Sequence, residues 1–329
     1  EGLKEIAQTP GDPVWSPASP AAATVLWPED FEDPEIYRVY GDESESAERI
    51  NIVLVPDGYT YASKATMEAH ADTIVAAFRN KTPSREHDSL VNYILVYAYS
   101  AENGTDQCDC GTVVDTAMGT HFPQYTPTCG HSDNRCLYYS SGPCDTSGLN
   151  NIVAAELRAP AHDETIILVN TTRYGGCGGA RAVFSAGHSA GGEIAIHELG
   201  HSLGGLADEY SYNDGCGTSA GEINTSLDPV EGAWPEWIED LGLPVEGAQY
   251  YQQCVYRPMV SCEMRDLGAA YCPVCNQQWA SIYYGHHRTA PTAPIKASDP
   301  PPATPIQTFV QVPEAFTVDT RLATGGSVT

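Results

Sequence analysis

"IAIHELGHSLGGLADEY", residues 194–210, is the stretch on which the reading turns. Ile196, Leu199, Leu203 and Leu206 recur at helical spacing, so the chain from 190 to 206 predicts a helix with that stripe against a core. His197 and His201 then share one face. Four residues are slightly more than one turn, so both imidazoles reach a single ion of zinc size at about 2.0–2.1 Å. Glu198, the next residue round, can aim its carboxylate at water in an open coordination position without itself binding the metal. Zinc lowers the pKa of such a water to about 7, and a glutamate so placed can take its proton for attack on a carbonyl and hand it to the leaving amine. Peptide hydrolysis is the implied reaction. In a chain of this His and Glu content the pattern His-Glu-x-x-His arises by accident with a probability of roughly one or two in a hundred.

Zinc in a catalytic site takes a third protein ligand. Gly204 and Gly205 let the chain leave the helix sharply, because glycine accepts the left-handed conformation that ends helices. Asp208 or Glu209 can then fold back to the metal, and Asp208 is preferred. The plain alternative is a solvated acidic pair capping a loop.

The whole chain of 329 residues can bury a sizeable core, and 42% hydrophobic content is too rich for a disordered protein. Forty-three acidic against 16 basic residues leave a net charge of -27, which repels phosphate backbones and anionic lipid surfaces. Neither nucleic acid nor a membrane is an expected partner, and no apolar run reaches the roughly 18 residues of a membrane span. A first residue of Glu1 reads as a processed or trimmed start. Eleven cysteines scattered through loop-like sequence are far more than a reduced cytosolic enzyme carries, so disulfides and a secreted, extracellular location are expected. The rival is a zinc–thiolate site, for which Cys272-x-x-Cys275 supplies half of the usual spacing.

Organisation follows from periodicity. Residues 1–48 read as an irregular arm with one short strand at 36–40. Residues 50–55 (INIVLV) form a buried strand ended by Pro56, Asp57 and Gly58; Met67, Ala71, Ile74 and Phe78 mark a helix; residues 90–99 form another strand. Residues 101–147 hold five cysteines among Gly, Thr, Ser, Asp and Pro and read as a stapled insertion. A short helix through Ile152, Val153 and Leu157 leads to a strand at 165–170, and residues 181–185 form a fourth strand, at an edge. The alternation predicts an α/β fold with a mixed, mainly parallel sheet. Residues 289–329 read as a proline-rich linker and the start of a further module.

These residues resemble a known family, the metzincin-like zinc metallopeptidases identified as IgA-specific peptidases of bacteria. The match runs through HELGHSLGGLADEY and continues in VPDGYT (55–60), ILVNTTRYGGCGG (167–179), EGAQYYQQCVYRP (246–258), CEMRDL (262–267) and CPVC (272–275). It spans roughly residues 50–284. The resemblance implies zinc at His197 and His201 with Glu198 as catalytic base, and Met264 in a tight turn beneath the metal. It departs from the commonest metzincin pattern at two points. The usual third-ligand position holds Ala207, with Asp208 one residue further on, and the tyrosine often found two residues past the methionine is replaced by Asp266. Tyr256 or Arg257 then becomes the candidate to stabilise an oxyanion. The segment 175–185 resembles the approach to the family's cleft, where an edge strand pairs with an extended substrate.

The expectation is therefore a secreted zinc endopeptidase acting on protein or peptide substrates. Its catalytic domain covers residues 49–288, with an upper α/β part over 49–206, closed by the active-site helix, and an irregular, disulfide-tied lower part over 207–288. The alternatives are a non-catalytic zinc-containing binding or adhesion module, against which Glu198 argues, and a metal-dependent amidase for small or peptidoglycan substrates.

Overall fold

The computed structural model describes residues 23–126, 128–139 and 148–286. The expected linker over 289–329 and residues 1–22 of the amino-terminal arm lie outside that range. In chain order the elements that matter are β1 (Ile36–Tyr40), β2 (Ile50–Asp57), α1 (Lys64–Asn80), β3 (Val91–Val96), α2 (Leu149–Glu156), β4 (Glu164–Val169), β5 (Gly176–Cys177), β6 (Ala182–Ser185) and α3 (Gly191–Ser202). They are followed by β7 (Ser211–Cys216), β8 (Val245–Ala248), β9 (Tyr250–Arg257) and α4 (Pro273–His286).

The main sheet has six strands in the order β1-β3-β2-β4-β6-β5. The four inner strands are parallel, while β1 and β5 run antiparallel at the two edges. Side chains alternate across β2 as a strand requires. Ile52 and Leu54 face α1, α3 and α4, whereas Val53 and Val55 face α2 and the insertion residues Met118 and Phe122. Covering both faces with apolar layers explains why β2, β3 and β4 read as unbroken hydrophobic runs. Beyond α3 the chain builds a smaller sheet in the order β7-β9-β8, with β7 parallel and β8 antiparallel to β9.

Three details differ from the sequence expectation. Strand β2 continues through Pro56 and Asp57, pairing there with β4 after its pairing with β3 has ended at Leu54. A strand with one neighbour tolerates the missing proline N–H. Strand β6 lies inside the sheet with all four residues buried, and the edge is the two-residue β5, whose Gly-Cys sequence carries no hydrophobic pattern. Helix α3 ends at Ser202, four residues short of Leu206, where Gly205 takes a positive φ of 59° and Leu206 N–H returns to the Gly200 carbonyl at 3.0 Å. The chain leaves the helix through the paired glycines.

Disulfides join Cys110 to Cys129, Cys136 to Cys177 and Cys216 to Cys254. The insertion is thus stapled internally and also bolted to strand β5. Cys262, Cys272 and Cys275, by contrast, are buried and unbonded. For these three, disulfide formation does not hold.

Asp57, fully buried at the end of the central strand, organises the insertion. Its carboxylate accepts hydrogen bonds from the backbone N–H of Met118 (2.8 Å) and Thr120 (2.9 Å) and from the hydroxyls of Thr116 and Thr120. Burial pushes the carboxyl upward, and these four donors oppose the shift. Replacing the side chain strands two buried amides, each costing about 1–3 kcal/mol. We expect Asp57→Ala to lower stability by about 2–4 kcal/mol, seen as a lower urea midpoint at unchanged m-value. A change below about 0.5 kcal/mol would show that water replaces the carboxylate.

Candidate metal centre

Helix α3 is placed by the sheet. Ile194, Ala195, Ile196 and Leu199 are buried in the core beneath it, which turns His197, Glu198 and His201 toward a cleft of about 1090 Å³. Past the glycine exit, Asp208 returns to the same point. His197 Nε2 lies 3.0 Å and His201 Nε2 3.2 Å from Asp208 Oδ1, and the two imidazole nitrogens are 3.2 Å apart.

The opposite ring nitrogens settle the tautomers. His197 Nδ1 lies 3.1 Å from the Glu263 carbonyl and His201 Nδ1 2.7 Å from the Leu206 carbonyl. A carbonyl only accepts, so each Nδ1 donates its proton, and in the neutral ring Nε2 is the atom that presents a lone pair to the cleft. Two imidazole lone pairs and a carboxylate oxygen therefore converge with nothing on the protein to separate them. Three ligands at about 2.0–2.1 Å from zinc, on tetrahedral corners, lie roughly 3.3–3.4 Å from one another. The observed triangle of 3.0 to 3.2 Å fits that donor set and leaves one corner facing the cleft.

The electrostatics report the same demand for positive charge. Burial works to lower the His197 pKa, yet its hydrogen bond to Asp208 and the nearby carboxylates push it up to about 9. Burial likewise acts to raise Asp208, but the two histidines hold it well below the usual carboxylate range. Glu198, buried against the same helix, is driven upward by desolvation, with the histidine charges opposing.

Strand β5 closes one side of the cleft at very short range. A Cβ on Gly176 would stand 2.5 Å from Glu198 Oε1, and one on Gly178 2.3 Å from the His201 Cβ. Only glycine permits that approach. Below the helix, Met264 lies in a turn in which Arg265 and Asp266 N–H both return to the Cys262 carbonyl, at 2.9 and 2.8 Å. Its Sδ would be 2.6 Å from a Cβ on Gly200, the residue between the two histidines. Glu263, in the same turn, is fully buried against Lys81 (2.6 Å), which also reaches Glu193 in the first turn of α3 (2.9 Å). Burial nevertheless pushes the Glu263 carboxyl up to about 7.

His197, Glu198, His201, Asp208 and Met264 are thus brought together. Tyr256 is not: it does not line the cleft, and its backbone is paired with Ser226. Arg257 is buried and spent on the carbonyls of Glu246, Gly247 and Met259. Tyr250 occupies the ground expected of them. Its hydroxyl donates to Asp208 Oδ2 at 2.5 Å, leaving Oδ1 to face the histidines. Gln249 and Tyr250 both adopt positive φ (47° and 72°), and their N–H groups dock on the carbonyls of Asp208 and Tyr210 at 2.9 and 3.0 Å. No periodicity marks such a turn, so nothing local distinguishes this tyrosine among the many in the chain.

The chain matches the family model described as IgA Peptidase M64 over residues 40–240. It belongs to that family. No match was found among curated proteins. Membership makes the chain a peptidase acting on protein or peptide substrates, and it implies a metal. The matched segment contains His197, Glu198, His201 and Asp208, whereas Tyr250, Met264 and the three unbonded cysteines lie beyond it.

Groups that orient a ligand typically carry about 10–100-fold of metal affinity. Tyr250→Phe is expected to weaken divalent-metal binding by that factor, measured by competition with a chromophoric chelator. An unchanged Kd would mean that Asp208 is held without the phenol.

Proposed function

We propose that this family member is a secreted zinc-dependent endopeptidase with a metzincin-like active site. His197, His201 and Asp208 hold the metal, and Glu198 is the general base. The observation that carries the reading is the convergence of two neutral Nε2 atoms and one carboxylate oxygen at 3.0–3.2 Å, open on the cleft side. Zinc held there supplies Lewis acidity, polarising a substrate carbonyl and lowering the pKa of water to about 7.

The protein's own groups do the rest. Glu198 is buried, and its high proton affinity suits it to take a proton from the attacking water and return it to the departing amine nitrogen. The carbonyls of Leu206 and Glu263 lock both imidazoles in the tautomer that points Nε2 outward. Tyr250 fixes which Asp208 oxygen faces the metal. Strand β5 flanks the cleft with its Gly176 N–H taken by the Arg135 carbonyl, and the open cleft of about 1090 Å³ beside Glu198 has room for an extended peptide, the substrate form we assign. Immunoglobulin A is named in the family's description, and the exposed backbone of a protein loop is the general substrate class we assign.

Secretion is supported by three disulfides, since such bonds persist in oxidising compartments. No described helix is long and apolar enough to cross a membrane. We assign residues 49–288 to the catalytic unit; α4 packs through Val274, Trp279 and Tyr283 into the same core as α1 and α3.

Three outcomes test the reading. Cleavage of a denatured protein substrate should be abolished by 1,10-phenanthroline and restored by zinc. Glu198→Gln should lower kcat by at least about a thousandfold while metal content stays at the wild-type level. Activity that survives in the Glu198→Gln protein with metal bound would refute the base assignment. His201→Ala should instead lose metal from this centre and activity together.

A further inference from the structure

Behind the candidate centre lies a second group of ligand-type side chains. Glu209, Cys262, Cys272 and Cys275 place one carboxylate oxygen and three sulfurs within 4.8 Å of one another, all buried. Glu209, Cys262 and Cys275 are fully inaccessible and Cys272 is 3% exposed. Among the described residues these are the three cysteines that form no disulfide.

We propose that Cys262, Cys272, Cys275 and Glu209 form a second, closed, structural zinc site. It is independent of the reading of the cleft and lies on the opposite side of the Asp208–Glu209 segment.

The distances decide against the two ordinary explanations. Cys262 and Cys275 Sγ are 3.7 Å apart, far from the roughly 2.0 Å of a disulfide. A Zn–S bond of about 2.3 Å puts tetrahedral sulfurs roughly 3.8 Å apart, and a carboxylate oxygen about 3.5 Å from each sulfur. Cys275 Sγ and Glu209 Oε1 are 3.5 Å apart. Simple burial of four hydrogen-bonded groups fails on a different count: Glu209 Oε1 meets only Asn224 and Cys275, and Oε2 is buried with no partner among the described residues. A buried carboxylate with so little support is costly, and a cation at Oε1 offsets its charge.

The surroundings are those of a charged cluster. Cys272 N–H points at Cys262 Sγ (3.3 Å) and Cys275 N–H at Cys272 Sγ (3.4 Å), as amides do when they stabilise thiolates in a C-x-x-C loop. Asn224 Nδ2 donates to Glu209 Oε1 at 3.0 Å. Cys272 and Cys275 flank Pro273 at the start of α4, where the helix dipole favours negative charge. With all four corners taken by protein and no route for solvent, the site has the closed coordination of a structural zinc and cannot carry out hydrolysis.

Its position gives it a task. Glu209 follows Asp208 directly, its N–H bonds the Met264 carbonyl at 2.8 Å, and Cys262 opens the Met264 turn. One ion would therefore clamp the segment bearing Asp208, the turn beneath the histidines and helix α4 to each other.

Cobalt substitution separates this site from the cleft site, because only thiolate ligands produce an intense sulfur-to-cobalt charge-transfer band in the near ultraviolet. The His201→Ala protein, purified with reductant, should retain one zinc per chain by elemental analysis. After exchange with cobalt it should show that band, together with the visible spectrum of a tetrahedral ion. In this background Cys272→Ser should lose most of the band, and Glu209→Gln should keep it but release metal to a chelator at least tenfold faster. As a check that survives misfolding of the variants, the three thiols of the wild-type protein should resist alkylation until denaturant and chelator are both present. Absence of the charge-transfer band, or a disulfide between any two of the three cysteines by mass spectrometry, would overturn the proposal. An unchanged release rate in Glu209→Gln would remove Glu209 from the ligand set. None of these results depends on whether the cleft hydrolyses peptides.

Discussion

The local structure is organised around three ligand atoms that converge on one point and together demand positive charge there. His197 Nε2, His201 Nε2 and Asp208 Oδ1 are held within 3.2 Å, with both imidazole protons committed to backbone carbonyls on the far side. Such a triangle is repulsive unless positive charge sits at its centre. The surrounding protein must therefore hold it against its own tendency to spread.

That restraint comes from packing on three sides. The sheet fixes α3 through its apolar stripe, and β5 presses glycine backbone against Glu198 and His201. From below, the Met264 turn fills the space under Gly200, and its Glu263 is tied through Lys81 to the start of α3. Cys136–Cys177 then fastens β5 to the insertion, which is itself anchored at Asp57 on the central strand. A path of covalent and hydrogen-bonded contacts thus runs from the middle of the sheet to the rim of the cleft. This geometry is preorganised, because rigid interiors transmit position and do not relax it away.

The lower part of the chain has little hydrophobic periodicity, and small sheets of this kind bury too little apolar surface to be rigid by packing alone. Here β7 and β9 are joined by Cys216–Cys254, and the segment from Glu209 to α4 converges on a buried group of three thiols and a carboxylate. Cross-linking by sulfur, either to sulfur or to a cation, compensates for a thin core.

The sequence alone revealed the elements whose signal is local. Strands β2, β3 and β4 appear as apolar runs because both sheet faces are covered, α1 and α3 as helical stripes, and His197, Glu198 and His201 as a pattern whose spacing equals one helical turn. The sequence prefers Asp208 to Glu209, but where each carboxylate goes depends on how the chain turns after Gly205. Folding sends Asp208 to the histidines and Glu209 to the cysteines, a division of neighbouring carboxylates between opposite sides of one irregular segment. Strand β5, Tyr250 and the exclusion of Tyr256 were equally illegible, because a Gly-Cys edge and a left-handed turn at Gln249–Tyr250 leave no periodic trace. Which cysteines pair, and which three meet unbonded, was decided only by tertiary structure. Residues far apart in the chain become neighbours through the packing of whole elements, and no local spacing encodes that distance.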